Sequence, residues 1–70
     1  MKFIVVQTIL IKREQKGNIV NNYWDNIIRQ VDAKDRETAI GKFVIQTANI
    51  EAKEKLQIEC IQLSHLTALN

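Results

Sequence analysis

The sequence contains few of the residue types from which disulfides, metal centres and phosphate loops are built. Its 70 residues include one cysteine, one histidine and two glycines. A single cysteine excludes a disulfide within the chain. One cysteine and one histidine cannot supply the four nitrogen and sulfur ligands of a structural zinc site. Gly17 and Gly41 lie too far apart for a glycine-rich phosphate loop. We therefore expect no metal ion and no cofactor.

Charge and hydrophobic runs are also limited. The formal net charge is +2, from ten basic and eight acidic residues that are interleaved along the chain. This balance is too mild to predict nucleic-acid binding by itself. The apolar run after Lys2 is interrupted by Gln7 and Thr8. It lacks the cleavage site of a secretory signal and is too short to cross a bilayer as a helix. We expect a cytoplasmic protein without a membrane partner.

The short length of the chain limits its stability. A domain of this size buries only about 60% of the surface that its unfolded chain exposes. Small domains gain stability from disulfides, metals or association. Because the composition excludes the first and argues against the second, association is the source that remains.

Two strands are predicted in the first half of the chain. Residues 2–13 are rich in β-branched residues, and both of their alternating faces are apolar, which is typical of a central strand. A polar break at 14–18 ends in Gly17-Asn18, a pair suited to a tight hairpin connection. The second strand is predicted over residues 19–33.

A helix is predicted over residues 36–48. Asp35 is placed to accept a hydrogen bond from the amide at the third helical position, and Glu37 in the first turn complements the helix dipole. Asn49 is the predicted C-cap residue. Side chains at helical spacing mark the face expected to contact the sheet: Ala39, Ile40, Phe43, Val44 and Thr47.

A third strand is predicted over residues 54–63. Leu56, Ile58 and Cys60 share one face, whereas Ile61 and Leu63 add apolar side chains to the other. This change of parity predicts a twist or bulge near Cys60. In the tail, residues 64–70, Leu66 and Leu69 either pack back on the sheet or fray with the terminus.

These elements predict one α+β domain of the β-β-α-β type over residues 1–70. The first two strands form a hairpin. A right-handed crossover through the helix would place the third strand parallel to the second if the two were neighbours. With the first strand between them, the sheet is antiparallel in the order 2-1-3, and the helix covers one face.

Catalytic groups are sparse in the sequence. Cys60 and His65 form the one candidate for a nucleophile and base, but no orienting Asn or Asp stands out and Cys60 lies on an apolar face. The acids Asp25, Asp32, Asp35 and Glu37 are close in sequence, and capping with solvation accounts for them. We therefore expect a protein that is not an enzyme.

A nucleic-acid interface is one alternative. Basic and aromatic side chains flank the predicted hairpin, where phosphate contacts and base stacking could hold a single strand. Glu14 and Asp25 interrupt the group. The candidate contacts are Lys12, Arg13, Lys16, Tyr23 and Trp24.

A protein interface is the favoured alternative. One helix covers one face of a three-stranded sheet, so the opposite face must be covered by the tail, by a second copy or by another protein. An apolar patch on so small a domain usually marks an interface. The candidate interface residues are Ile4, Val6, Leu10, Ile28, Ile61 and Leu63.

The segment "VDAKDRETAI" carries a resemblance to known families. It resembles the small β-β-α-β units of the archaeal LX-type ribosomal protein and is similar to the small non-catalytic B subunit of the phenylacetyl-CoA oxygenase complex. The resemblance covers about half of the chain and rests on Val31, Ala33, Asp35, Ala39 and Ile40. It implies a fold and an accessory, partner-binding role. The strong positive charge of the first family is absent here.

Taken together, the sequence predicts a small, non-enzymatic interaction module. We expect a homodimer or a complex with a partner protein, as in an accessory subunit or a small protein of a phage or other mobile element. Nucleic-acid binding through the hairpin is one alternative. Inhibition of a larger enzyme, through the same apolar surface, is another.

Overall fold

The computed structural model describes residues 1–15 and 17–64. Its elements are β1 (Lys2–Gln15), β2 (Asn18–Asp32), α1 (Arg36–Gln46), β3 (Glu54–Lys55) and β4 (Glu59–Gln62). The sheet is antiparallel in the order β2-β1-β3, and β4 also pairs with β1. The predicted α+β class, strand order and helix are therefore confirmed.

The hairpin of β1 and β2 is longer than predicted at its closed end. Pairing continues to Gln15 opposite Asn18, although residues 12–15 of β1 are all polar. Backbone pairing does not require apolar side chains, so the loss of apolar residues after Ile11 does not end the ladder. Gly17 has a φ of 82° in the connection, the left-handed conformation that glycine adopts without steric cost.

The core lies between the sheet and α1. Along β1, Phe3, Val5, Gln7 and Ile9 are buried, whereas the residues between them are only half-buried. The apolar core residues are Phe3, Val5, Ile9, Ile27, Val31, Ala33, Ala39 and Phe43. Because β1 has paired strands on both sides, its apolar character on two faces fits the predicted central position.

The start of α1 follows the prediction. The Asp35 carboxylate accepts a hydrogen bond from the Thr38 amide at 2.7 Å, which is the amide at the third helical position. Hydrogen bonds from the Thr38 side chain and backbone amide hold the pKa of the Asp35 carboxyl below its ordinary value of 3.8.

The contact face and the end of α1 differ from the prediction. Ala39, Phe43 and Thr47 are buried at a spacing of four residues, whereas Val44 is half exposed. Val44 was therefore wrongly assigned to the sheet face, because the narrow sheet covers a single row of helical side chains. The helix ends at Gln46, and the C-cap is Thr47 rather than Asn49, since the Thr47 hydroxyl donates to the Phe43 carbonyl at 2.8 Å.

The predicted third strand is split into β3 and β4. Lys55 lies opposite Ile9 and Glu59 opposite Val6, so β1 advances three residues while the other chain advances four. The extra residue is a bulge within 56–58. It reverses the alternation, which leaves Leu56 exposed while Ile58 and Cys60 pack against the core.

Gln7 occupies the break between β3 and β4. Its side chain is buried, and its Nε2 donates to the Leu56 carbonyl at 2.8 Å. The bond satisfies a carbonyl at the bulge and the amide of a buried glutamine. The polar residue that interrupts the apolar run of β1 therefore has a structural role. The predicted positions Lys16, His65, Leu66 and Leu69 lie outside the described residues.

Candidate interaction surface

The two faces of the sheet carry different side chains. In an antiparallel pair, residues opposite each other project to the same face. The odd-numbered residues of β1 face α1. The even-numbered residues, with their partners on β2 and β4, form the opposite face, which we call the open face. Of the helices and strands named above, α1 is the one that packs on the sheet, through contacts with β1, β2 and β4.

Apolar pairs run along the open face. Ile4 lies opposite Ile61 on β4, Val6 opposite Ile28 on β2, and Leu10 opposite Trp24 on β2. The three partner residues remain largely in solvent: Ile28 is 56%, Trp24 52% and Ile61 42% exposed. Large apolar side chains thus protrude in one region of a small domain.

Five of the six residues predicted for a protein interface lie on the open face: Ile4, Val6, Leu10, Ile28 and Ile61. The sixth, Leu63, is half-buried just beyond the end of β4. Trp24 joins the set, although the sequence placed it with the nucleic-acid contacts. Its even-numbered position, shared with Ile28, is the signal that could have identified it.

A polar pair divides the apolar residues of the open face. Thr8 lies opposite Asn26, and its hydroxyl donates to the Asn26 side-chain oxygen at 2.7 Å. The pair separates the Leu10–Trp24 contact from the larger group around Val6. Because the two side chains already bond to each other, an apolar surface that covers them causes a smaller loss of hydrogen bonding than it would for two unpaired polar groups.

The predicted nucleic-acid residues do not form one surface. Tyr23 lies opposite Ile11 on the α1 side of the sheet, whereas its neighbour Trp24 lies on the open face. Successive residues of a strand point to opposite faces, so the two aromatic rings cannot stack bases side by side. Lys12 is paired with Glu14 at 2.9 Å. Arg13 is exposed and has the parity of the α1 side.

The predicted acidic residues serve local roles. Asp35 caps α1. Asp25 accepts a hydrogen bond from the Asn26 amide at 2.8 Å. Asp32 lies 3.3 Å from the amino terminus of Met1. Across the described part of the chain, no three histidine, cysteine or acidic side chains are arranged to hold a metal ion.

Cys60 lies beside the core. It is opposite Val5, faces α1 and is half-buried. The Arg36 guanidinium donates to the backbone carbonyl of Cys60 at 3.5 Å, and this hydrogen bond does not involve the thiol. The geometry assigns Cys60 a packing role.

Comparisons with protein-family models, with curated proteins and with solved structures find no match to this chain. Among residues 1–15 and 17–64, no helix has both the length and the apolar character that a membrane crossing requires.

Proposed function

We propose that this chain is a small, non-enzymatic interaction module that self-associates through its open face. The observation that carries the proposal is the exposure of Trp24, Ile28 and Ile61 on the sheet face opposite α1. Buried aromatic anchors surrounded by aliphatic side chains are typical of the centre of protein interfaces. An accessory role of this kind is also what the resemblance to small partner-binding proteins implies.

A second copy of the chain fits the open face in size and chemistry. The molecule measures 48 by 26 by 15 Å, and its broad side can supply the roughly 800 Å² that each partner buries in a standard interface. A two-fold contact brings the same apolar patch from each copy. Two such sheets pack about 10 Å apart with their side chains interleaved.

Association would also add buried apolar surface to a small core. The apolar core of the described residues contains eight side chains, two of which are alanines. Covering the open face would bury the opposite side of β1 as well. Each fully buried aliphatic or aromatic side chain adds about 1.5–3 kcal/mol, so a few of them are large against the stability of a 70-residue domain.

We assign no catalytic step to the chain. Its single thiol packs beside the core, and Asp25, Asp32 and Asp35 are engaged with backbone or terminal groups. These contacts support a structural role for the side chains that could otherwise act as a nucleophile or an acid.

The test is a measurement of oligomeric state on Ile61→Lys. Ile61 is half exposed, so the change leaves the monomer core intact. It lies on β4, so the change also leaves the edge of β2 unaltered. Burying an unpaired charge is costly. We expect the dissociation constant of the open-face contact to rise by about tenfold or more, as seen by light scattering or sedimentation over a range of concentrations.

Ile45→Lys is the matched control. Ile45 lies on α1 and is 78% exposed, so the same substitution adds the same charge on the opposite side of the molecule. An assembly of Ile61→Lys that has the same size and dissociation constants as that of the wild type, or a loss that is equal in both variants, would contradict the proposal.

A further inference from the structure

The outer edge of β2 is a second surface open to association. β2 spans 15 residues, and in the described part of the chain its only strand neighbour is β1. A long free edge presents unpaired backbone groups to any strand of suitable register. The chemistry of this edge depends on which residues direct those groups outward.

The outward groups belong to the even-numbered residues of β2. The Thr8 and Leu10 carbonyls accept from Leu56 and Lys53, so even-numbered residues of β1 direct their backbone groups towards β3. The odd-numbered residues of β1 therefore bond to β2. In an antiparallel pair, a hydrogen-bonded residue faces a hydrogen-bonded residue, so the odd-numbered residues of β2 face inward and Asn26 and Ile28 face outward.

Two charged side chains cover two of the outward backbone groups of Asn26 and Ile28. The Asp25 carboxylate accepts a hydrogen bond from the Asn26 amide at 2.8 Å. The Arg29 guanidinium donates to the Ile28 carbonyl at 2.9 Å. Asp25 and Arg29 share the α1 side of the sheet and are placed symmetrically, two residues before and two residues after Ile27.

We propose that two copies of this chain join their β2 edges in antiparallel register around a two-fold axis at Ile27. Asn26 of one copy then lies opposite Ile28 of the other, and the two residues exchange backbone hydrogen bonds. Asp25 and Arg29 leave their local backbone groups, and each pairs with the opposite charge of the second copy. The two covered groups of the single chain, the Asn26 amide and the Ile28 carbonyl, thus bond to each other's counterparts across the axis.

Charge selects this register among those that keep the α1 sides together. An axis at Asp25 would set two aspartates against each other, and an axis at Arg29 would set two arginines together. An axis at Asn26 or Ile28 would place one charged side chain against Ile27. The register centred on Ile27 forms two opposite-charge pairs, which stabilise directly opposed positions of a ladder.

The register also leaves space for both helices. In the joined sheet, the two β1 strands are three strand spacings apart, or about 14 Å at the usual separation of about 4.8 Å. Packed helices need only about 8–10 Å between their axes. The helices covering the two β1 strands therefore do not collide, and the charge pairs lie in the channel between them. This contact is separate from the open face and does not rest on the proposed function.

Charge reversal tests the register. Arg29→Asp sets two acidic pairs against each other, and Asp25→Arg sets two basic pairs together. We expect each variant to lose edge association by about tenfold or more in dissociation constant. An equimolar mixture of the two variants restores both opposite-charge pairs. It should form a mixed dimer with an affinity close to that of the wild type, measured by sedimentation at low ionic strength.

Amide hydrogen exchange provides the second readout and the control for folding. In the wild type, the Asn26 and Ile28 amides should be protected in proportion to the amount of dimer joined at the β2 edges. In either single variant they should exchange rapidly. The Ile27 amide bonds to β1 and should stay protected in every variant that folds.

The outcomes separate the two proposed contacts. Edge association that persists in Ile61→Lys and is lost in Arg29→Asp supports the β2 contact whatever happens at the open face. A wild type that stays monomeric at millimolar concentration would overturn it. So would single variants that associate more strongly than the wild type, because Asp25 and Arg29 would then be guarding the edge. Failure of the mixture to associate would reject the register.

Discussion

Val5 and Val6 offer a matched test of the two faces of the sheet. They are neighbours on β1, so the change Val→Ala alters strand propensity equally at both positions. Val5 is fully buried and faces α1, whereas Val6 is half-buried on the open face opposite Ile28. A difference between Val5→Ala and Val6→Ala in the free energy of unfolding therefore measures the environment of each face.

The magnitude follows from the burial. Val→Ala removes the equivalent of two methylene groups, worth about 1.6 kcal/mol at about 0.8 kcal/mol each when fully buried. The cavity left at Val5 adds about 1 kcal/mol, because the close-packed core relaxes only in part. We expect Val5→Ala to cost about 2–3 kcal/mol and Val6→Ala to cost less than about 1 kcal/mol in the monomer.

Urea denaturation at two protein concentrations is the assay. A domain of this size has a slope of about 1 kcal/mol per molar urea, so Val5→Ala should lower the midpoint by about 2–3 M. This loss should be the same at both concentrations. Val6→Ala should instead remove the part of the concentration-dependent rise in midpoint that comes from the open-face contact. Equal losses for the two variants at low concentration would refute the assignment of the faces.

Two further predictions concern backbone and pH. At both glycines the space around an added methyl group is open, so backbone conformation decides the effect of Gly→Ala. Gly17→Ala should destabilise the fold by about 1–2 kcal/mol because a side chain is strained at φ 82°. Gly41→Ala should stabilise it by about 0.5–1 kcal/mol, and thermal unfolding compares the two variants. The pKa of Asp35 is lowered on folding, so the stabilisation by its ionised carboxylate is present above pH 3.8 and is lost as pH falls through the folded pKa. Asp35→Ala should therefore unfold at a lower temperature than the wild type at pH 7, and the two midpoints should converge in acid.

The sequence predicted the layout of the fold because its strongest patterns are local. The apolar residues on both faces of residues 2–13 required a central strand, and the hairpin residues after it fixed the neighbour on one side. Asp35 and the apolar spacing after it required a helix that starts at residue 36. The strand order 2-1-3 then followed from the central position of the first strand, which leaves its other side to the third strand.

The contact face of α1 could not be read from the helical period. The period allows both Phe43 and Val44 to face inward, and only the width of the sheet decides between them. The third strand is interrupted, so the sheet supports one row of helical side chains and leaves Val44 and Ile45 exposed. That interruption depends on the bulge at 56–58, which is a tertiary feature.

The membership of the open face depends on a second irregularity. The closed end of the hairpin pairs Gln15 with Asn18, and continuing this register would place Leu10 opposite Tyr23. The shift between Arg13 and Glu14 moves the ladder by one residue, so Leu10 faces Trp24 instead. A one-residue shift moves every later side chain to the other face. Turn chemistry alone therefore could not assign the tryptophan.

The two proposed contacts use different surfaces of the same sheet. The proposed axis at Ile27 is perpendicular to the sheet, whereas an axis that pairs two open faces lies in the plane of the sheet. If the two axes intersect, the proposed contacts generate a tetramer with D2 symmetry. The sheet has little means to grow further. Its other edge consists of β3 and β4, with two and four residues, separated by the bulge near Leu56. Short and interrupted edges pair poorly with additional strands. The irregularity that narrows the support for α1 thus leaves β2 as the longer free edge of the described sheet, and this is the edge at which we propose that Asp25 and Arg29 set the register.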